Sequence, residues 1–325
     1  MRIIDVTAPG GPENLVIAEA PVPRPAPDEV VVAVTAAGVN RADLLQRQGF
    51  YPPPRGTSEV IGLEVSGHVH EVGEDVTGWE VGDPCVALLA GGGYAEYVVV
   101  PAGQVIPPPP GLDLVTAAGI LEVAATVASN FDHVHLGRGE TVLVHGGAGG
   151  IGTFAIQYAT ALGARVLATA GSSAKLGLCR ELGADVAIDY HGEWLAEVKA
   201  ATGGRGADVI LDVIGAKYLE PNVEALAPDG RLVVIGLQGG RKGTLDLNRL
   251  LTKRATVTAT SLRFRPVEQK AAICRAVVER VWPLVEDGRI KPAPLTTFPL
   301  ERAGDAHRHL ETGDHTGKVV LVVAS

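Results

Sequence analysis

From residue 141 to about residue 260, short apolar runs rich in β-branched residues recur roughly every 23 positions, a spacing that fits one strand plus one helix. The runs are Val142-Leu143-Val144, Arg165-Val166-Leu167, Asp185-Val186-Ala187-Ile188, Val209-Ile210-Leu211, Leu232-Val233-Val234-Ile235 and Thr256-Val257-Thr258. Runs this apolar point to strands covered on both faces, as in a parallel sheet. The segments between them, such as Thr153 to Leu162 and Ser173 to Leu182, have helical length and composition. Strand and helix alternating in this way restrict the segment to a doubly wound α/β fold, and right-handed crossovers leave few topologies.

The first strand, Thr141-Val142-Leu143-Val144-His145, runs into Gly146-Gly147-Ala148-Gly149-Gly150-Ile151-Gly152 and then into the helical Thr153-Phe154-Ala155-Ile156-Gln157. Gly147, Gly149 and Gly152 fit the GxGxxG spacing. In that pattern the first glycine permits a tight turn, the second lets backbone approach a pyrophosphate, and the third lets helix and strand pack closely. Exposed amides and the positive end of the helix dipole then face the anion. A glycine-rich turn alone is most often only a turn; its place between strand and helix in a repeating array makes this one a dinucleotide site.

The end of the second strand selects the cofactor. An NAD site usually places Asp or Glu there to bind the ribose 2′-hydroxyl, but this strand ends Ala168-Thr169-Ala170-Gly171-Ser172-Ser173-Ala174-Lys175. No carboxylate stands there to repel a 2′-phosphate, and Ser172, Ser173 and Lys175 offer hydroxyl and ammonium partners. Tyr190, after the third strand, adds a phenol. The expected cofactor is NADPH. The competing account makes the serines a helix N-cap and Lys175 a solvated charge. Further cofactor contacts are expected from loops at the carboxyl ends of later strands, Val213-Ile214-Gly215 and Ile235-Gly236-Leu237-Gln238-Gly239-Gly240.

Residues 1 to 118 differ in character: Val30 to Ala36, Gly67 to Val72 and Tyr94 to Val100 are short strands among Pro- and Gly-rich turns, a β-rich lobe resembling a partly closed barrel. Pro107-Pro108-Pro109-Pro110-Gly111 is an extended connector. After residue 263 one long helical segment, Val267 to Glu286, and a closing strand, Lys318 to Val323, are expected to pack back on the first lobe. The domains are therefore read as 1–118, 119–262 and 263–325, and a chain of 325 residues has ample length for two cores.

A net charge of -9 repels phosphate backbones and anionic lipid surfaces, so neither nucleic acid nor membrane is an expected partner. The amino terminus lacks a signal-peptide pattern and no apolar run reaches the roughly 20 residues of a membrane span, which points to the cytoplasm. Cys85, Cys179 and Cys274 stand far apart and read as buried or incidental thiols of a reducing compartment. The histidines form no HExxH pattern, and His307 with His309 reads as part of a solvated helix face.

Several ordered stretches carry a resemblance: Ala37-Gly38-Val39-Asn40-Arg41-Ala42-Asp43-Leu44, Gly49-Phe50-Tyr51-Pro52-Pro53-Pro54, Gly62-Leu63-Glu64-Val65-Ser66-Gly67, Val81-Gly82-Asp83, Gly91-Gly92-Gly93-Tyr94-Ala95-Glu96-Tyr97, and the glycine loop. With them the chain resembles the medium-chain dehydrogenase/reductase superfamily over nearly its full length. Within that superfamily it is most similar to the zinc-independent quinone oxidoreductases, the zeta-crystallin relatives, and especially to their stress-induced branch. The resemblance implies a GroES-like β-rich catalytic domain beside the Rossmann domain. It also implies a zinc-independent oxidoreductase that passes hydride from NADPH to a small electrophile, either a quinone or an activated alkene such as an enone or enoyl thioester. A non-catalytic, crystallin-like NADPH-binding protein is the alternative from another class.

In zinc-dependent members, positions resembling Asn40 and Leu63 would carry a cysteine and a histidine ligand. With Asn and Leu there, no adequate ligand set remains for a Lewis acid, so the acceptor must bring its own activation by conjugation. By resemblance, Asn40 and Tyr51 face the nicotinamide and substrate in the interlobe cleft, Asn40 placing a carbonyl and Tyr51 donating to a developing oxyanion. Otherwise Asn40 is a turn residue and Tyr51 a packed aromatic. Thr126 either contacts the nicotinamide end or is a helix-buried threonine. Glu64, beside the vacated ligand position, is expected to hydrogen-bond rather than transfer a proton. Arg263, in Ser261-Leu262-Arg263-Phe264-Arg265, and Lys318 resemble family positions on the nicotinamide and substrate side. A homodimer is expected through the last Rossmann strand, whose alternating threonines from Ala255 to Ser261 would be a hazardous open edge.

Overall fold

β-Branched residues set between proline and glycine turns make the amino-terminal strands. A computed structural model describes residues 1–323. They divide into two units: residues 1–125 with 262–288 and 292 onward, and residues 126–261 with 289–291. The first unit begins with Arg2–Val6 (β1) paired antiparallel to Leu15–Glu19 (β2). Glu29–Val39 (β3), Glu64–Val72 (β4), Pro84–Leu88 (β5), Tyr97–Pro101 (β6) and Val105–Ile106 (β7) follow. β3 runs past the expected Ala36 through Ala37, Gly38 and Val39. Ala37 and Gly38 are weak strand formers and stay extended because they are buried and paired with β15, Ala37 with β4 as well.

The second unit holds Thr141–Val144 (β8), Arg165–Ala170 (β9), Val186–Asp189 (β10), Ala207–Asp212 (β11), Leu226–Val234 (β12) and Thr256–Ala259 (β13). They form one parallel sheet in the order β10-β9-β8-β11-β12-β13, the doubly wound arrangement read from the sequence. Leu143, Leu167, Ile188, Ile210 and Leu232, one from each of five adjacent strands, are fully buried in its core. Order reverses at β8, so the crevice outside the carboxyl ends lies at the glycine loop. β13 is the outermost strand on its side of this sheet.

The chain then returns to the first unit. Leu295–Pro299 (β14) pairs parallel to Lys318–Val322 (β15), which pairs antiparallel to β3. The sheet runs β14-β15-β3-β4-β5-β7, with β6 also on β3. Because Val319 faces Val39, this register sets Lys318 at the end of β3 where Asn40 begins the helix Arg41–Arg47. The single helix expected from Val267 to Glu286 is two, Val267–Arg280 and Trp282–Glu286. Pro283 sits in the first turn of the second and cannot continue the amide ladder of the first, so the segment breaks there. Among the described residues no helix is long and apolar enough to cross a membrane.

Candidate active site

The glycine loop is built from β8 into the helix Gly150–Ala161, with Gly149 at the N-cap. Gly146, not Gly147, makes the turn with positive φ (70°), which corrects the role assigned to the first glycine of the pattern. Gly147 is needed for packing instead: a Cβ there would lie 2.7 Å from Cys179 Sγ and 3.0 Å from Ala168 Cβ. A Cβ on Gly152 would run into the backbone of Gly146 and Gly147. Gly149 differs from both, since a Cβ there would meet only Gly146 O, at an ordinary 3.6 Å. The space beside Gly149 is open, and the first-turn amides of Gly150, Ile151 and Gly152 have no partner within their helix. Thr169 of β9 anchors the loop, accepting from Gly147 N (2.8 Å) on its carbonyl and from Gly146 N (3.3 Å) on its hydroxyl. His145 completes the anchor, contacting Thr169 Oγ1 and Asn222 Oδ1, and burial holds it neutral with a pKa lowered to about 4.

At the end of β9, Ser172 and Ser173 are exposed and Lys175 is half-buried. Ser172 accepts from Lys175 N at 3.4 Å as N-cap of the helix Ser173–Glu181, so this serine serves the cap that the competing account assigned to it. Tyr190 follows β10 with 42% of its surface exposed, and its ring and hydroxyl lie over Gly171, where a side chain would collide with them. A hydroxyl-rich corner therefore gathers Gly171, Ser172, Ser173 and Tyr190 near the start of the helix that carries Lys175, and its one adjoining carboxylate, Asp189, is paired in register with Ala170 and accepts from His191 N. The loops after β11 and β12 interlock: Ile235 N donates to Asp212 O, Gly239 N donates to Ile214 O, and a Cβ on Gly236 would lie 2.6 Å from Val213 O. The buried Asp212 carboxyl caps the first loop by accepting from Ile214 N and Gly215 N, while burial raises its pKa to about 6. Leu237 is exposed on the second loop. Thr126 is buried in the helix Leu121–His133, its carbonyl accepting from Asn130.

In the first unit, Asn40 and Lys318 come together. Lys318 Nζ donates to Asn40 Oδ1 at 2.7 Å and to Glu64 Oε1 at 2.8 Å, and Asn40 Nδ2 donates to Glu64 Oε1 at 3.0 Å. Glu64 Oε2 accepts from Glu122 N at 2.9 Å, at the amino end of Leu121–His133. Glu64 is wholly buried, whereas Asn40 and Lys318 retain 8% and 5% exposure. Gly38 makes room for the carboxylate, because a Cβ there would collide with Glu64 and lie 2.6 Å from Ala118 O.

Tyr51 and Arg263 also meet in this unit. The Arg263 guanidinium stands 5.2 Å from the Tyr51 ring centroid and donates to Tyr51 O, Ala90 O and Gln46 Oε1. Phe264 approaches the same ring edge-on at 5.4 Å. Arg263 and Lys318, which the resemblance sets on the nicotinamide and substrate side, both have these hydrogen bonds within the first unit.

Beside Asn40 lies a buried network that the sequence did not disclose. Asp43 Oδ2 accepts from Asn40 N (2.7 Å) and from the Tyr94 hydroxyl (3.3 Å), and Tyr94 meets His307 Nε2 at 3.0 Å. Arg47 contacts His307 Nδ1 at 3.4 Å and pairs with Glu311. His307 is fully buried, which corrects its assignment to a solvated face; burial, then the nearby Arg47 charge, lowers its pKa to about 3. Burial raises Asp43 to about 7 despite the hydrogen bond from Asn40 N and the charges of Lys318 and Arg263, and its Oδ1 has no partner. A carboxyl whose native pKa is raised stabilises the fold below its unfolded value, and that contribution is lost as pH rises through the native value. Asp43→Asn removes the titration. We therefore expect wild-type stability relative to the variant to fall between about pH 4 and pH 7 in denaturant titrations. A difference constant with pH would show that Asp43 stays ionised when folded.

Cys85, Cys179 and Cys274 are free and buried, and burial pushes their thiols up to about 12, 11 and 12. None is a thiolate near neutral pH. Among the described residues no three His, Cys, Asp or Glu side chains are grouped to hold a metal ion, and Leu63 is packed in the interior.

Residues 26–110 match the family described as alcohol dehydrogenase GroES-like domain, and residues 150–276 match the one described as zinc-binding dehydrogenase. A quinone oxidoreductase of Pseudomonas aeruginosa is 33% identical over 323 residues, covering 98% of each chain. A phenolphthiocerol/phthiocerol polyketide synthase subunit of Mycobacterium tuberculosis is 32% identical over 98% of this chain, which spans only 15% of that much longer protein. The solved Escherichia coli quinone oxidoreductase complexed with NADPH superposes with a TM-score of 0.89 at 28% identity, over 99% of this chain and all of the other.

Proposed function

The chain belongs to the zinc-independent quinone oxidoreductase branch of the medium-chain dehydrogenase/reductase superfamily, and from that membership and its two sites we infer an NADPH-dependent reductase of quinones. What carries the reading is the chemistry at the end of β3, where Asn40 is held by a lysine and a glutamate instead of being one of a set of metal ligands. With no ligand set among the described residues to seat a Lewis acid, the substrate must be electrophilic by its own conjugation, as a quinone is.

The residues of the second unit fit the cofactor. The open space at Gly149 and the first-turn amides of Gly150 to Gly152 suit a pyrophosphate. Ser172, Ser173, Lys175 and Tyr190 suit a 2′-phosphate, and the loops carrying Ile214, Gly236 and Leu237 suit the remainder of the dinucleotide. NADPH, when bound, supplies hydride from its nicotinamide C4. Asn40 then orients the acceptor carbonyl, and Tyr51, with the Arg263 guanidinium beside its ring, donates to the oxygen that gains charge. Thr126 completes the nicotinamide side. We place the protein as a cytoplasmic homodimer: the free thiols suit a reducing compartment, and pairing along β13 would cover that outer strand.

Steady-state NADPH oxidation with phenanthrenequinone, a simple enone and no acceptor tests the reading. Quinone turnover well above enone turnover is expected. Enone turnover alone would make the protein an activated-alkene reductase, and tight NADPH binding with neither turnover would make it a binding protein.

A further inference from the structure

We propose that Lys318 and Glu64 form a positioning device for substrate reduction: together they fix the Asn40 amide in one orientation and polarise its remaining N–H toward the acceptor oxygen. The proposal rests on the quinone reductase reading above and assigns Lys318 to the substrate side.

The orientation follows from donor and acceptor chemistry. An ammonium can only donate, so the Asn40 atom 2.7 Å from Lys318 Nζ must be the amide oxygen. A carboxylate can only accept, so the atom 3.0 Å from Glu64 Oε1 must be the amide nitrogen. A flipped amide would set nitrogen against ammonium and oxygen against carboxylate, in the interior where such mismatches cost most. One Nδ2–H is spent on Glu64. The other is the donor left for a ligand, on a side chain that keeps 8% exposure while Glu64 keeps none.

Polarisation follows from the same contacts. A cation on the amide oxygen draws electron density from nitrogen and strengthens its N–H as a donor, more so at low local dielectric. The carboxylate is held by three donors: Lys318, Asn40 and the Glu122 amide. The backbone is shaped around the cluster, since any side chain at Gly38 would strike Glu64. Oriented donors of this kind lower the barrier where charge develops on the substrate oxygen, so the effect belongs in kcat.

The test compares Lys318→Met, Lys318→Arg and the double variant Lys318→Met/Glu64→Gln with wild type. Readouts are kcat and KM for phenanthrenequinone at saturating NADPH, calorimetric Kd for NADPH, and thermal melting. Lys318→Met should lose about tenfold or more in kcat, with KM and the NADPH Kd within about twofold of wild type. Lys318→Arg, still donor-only, should recover most of that loss. Lys318→Met leaves a buried carboxylate short of its cation and can fail to fold; the double variant removes both charges and should fold while remaining slow. A wild-type kcat in either folded variant overturns the proposal. So does a weakened NADPH Kd with kcat intact, which would make Lys318 a cofactor ligand, and so does failure of both variants to fold, which would make the pair structural. Wild-type protein that does not turn over quinone refutes the functional reading itself; active wild type with unaffected variants refutes only this proposal.

Discussion

Gly149→Val is expected to weaken NADPH binding by on the order of 100-fold while shifting the melting temperature by only about 2–4 °C. The two effects separate because of what surrounds each glycine. A Cβ at Gly149 meets nothing closer than Gly146 O at 3.6 Å, so the folded loop accepts it at roughly the cost of a poorer N-cap, about 1 kcal/mol or less. The added methyls would then fill the space proposed for the pyrophosphate at the first-turn amides. Losing one or two charge-assisted hydrogen bonds, each worth about 1.5–3 kcal/mol, accounts for the affinity loss. Gly152→Val is the contrast: its Cβ would strike the backbone of Gly146 and Gly147, so folding itself should suffer. Calorimetry with NADPH beside thermal melts measures both. Tight binding by Gly149→Val would mean that the pyrophosphate does not pass there.

The second large effect concerns the corner formed at the end of β9. Lys175→Glu should lower the preference for NADPH over NADH by roughly 10- to 100-fold, because one attractive charge becomes a repulsive one beside a 2′-phosphate. NADH affinity should change little, since it presents only a hydroxyl there. The Ser172 cap accepts from the Lys175 backbone amide, which the substitution keeps. Parallel titrations with the two coenzymes decide the matter. Equal losses for both would remove Lys175 from the phosphate pocket.

The doubly wound sheet was legible because strands buried on both faces leave continuous apolar runs, as at Val142 to Val144 and Val209 to Leu211. The clustering of Asn40 with Lys318 was not legible from spacing, since they are 278 residues apart and only the β3–β15 register joins them. His307 was misread although a signal existed. Ala303, Ala306, His307 and Leu310 follow helical spacing and form the buried face of Ala303–Glu311, but the flanking Asp305, Arg308 and His309 made the segment look solvated. The turn role assigned to Gly147 belongs to Gly146 because a motif gives spacing, whereas φ depends on how the loop leaves β8. Pro283 marked the break between the last long helices, and its ring geometry outweighs the apolar periodicity that runs across it.

Reduction driven by a phosphorylated nicotinamide coenzyme without a metal ion is the central proposal for this protein. Its most direct test is a single-turnover experiment in which chelator-dialysed protein, loaded with stoichiometric NADPH, is mixed rapidly with phenanthrenequinone and the reduced-nicotinamide absorbance is followed. Oxidation of one NADPH per loaded site is expected, at a rate that added zinc does not raise. No oxidation until zinc is restored, or faster oxidation of NADH than of NADPH, would contradict it.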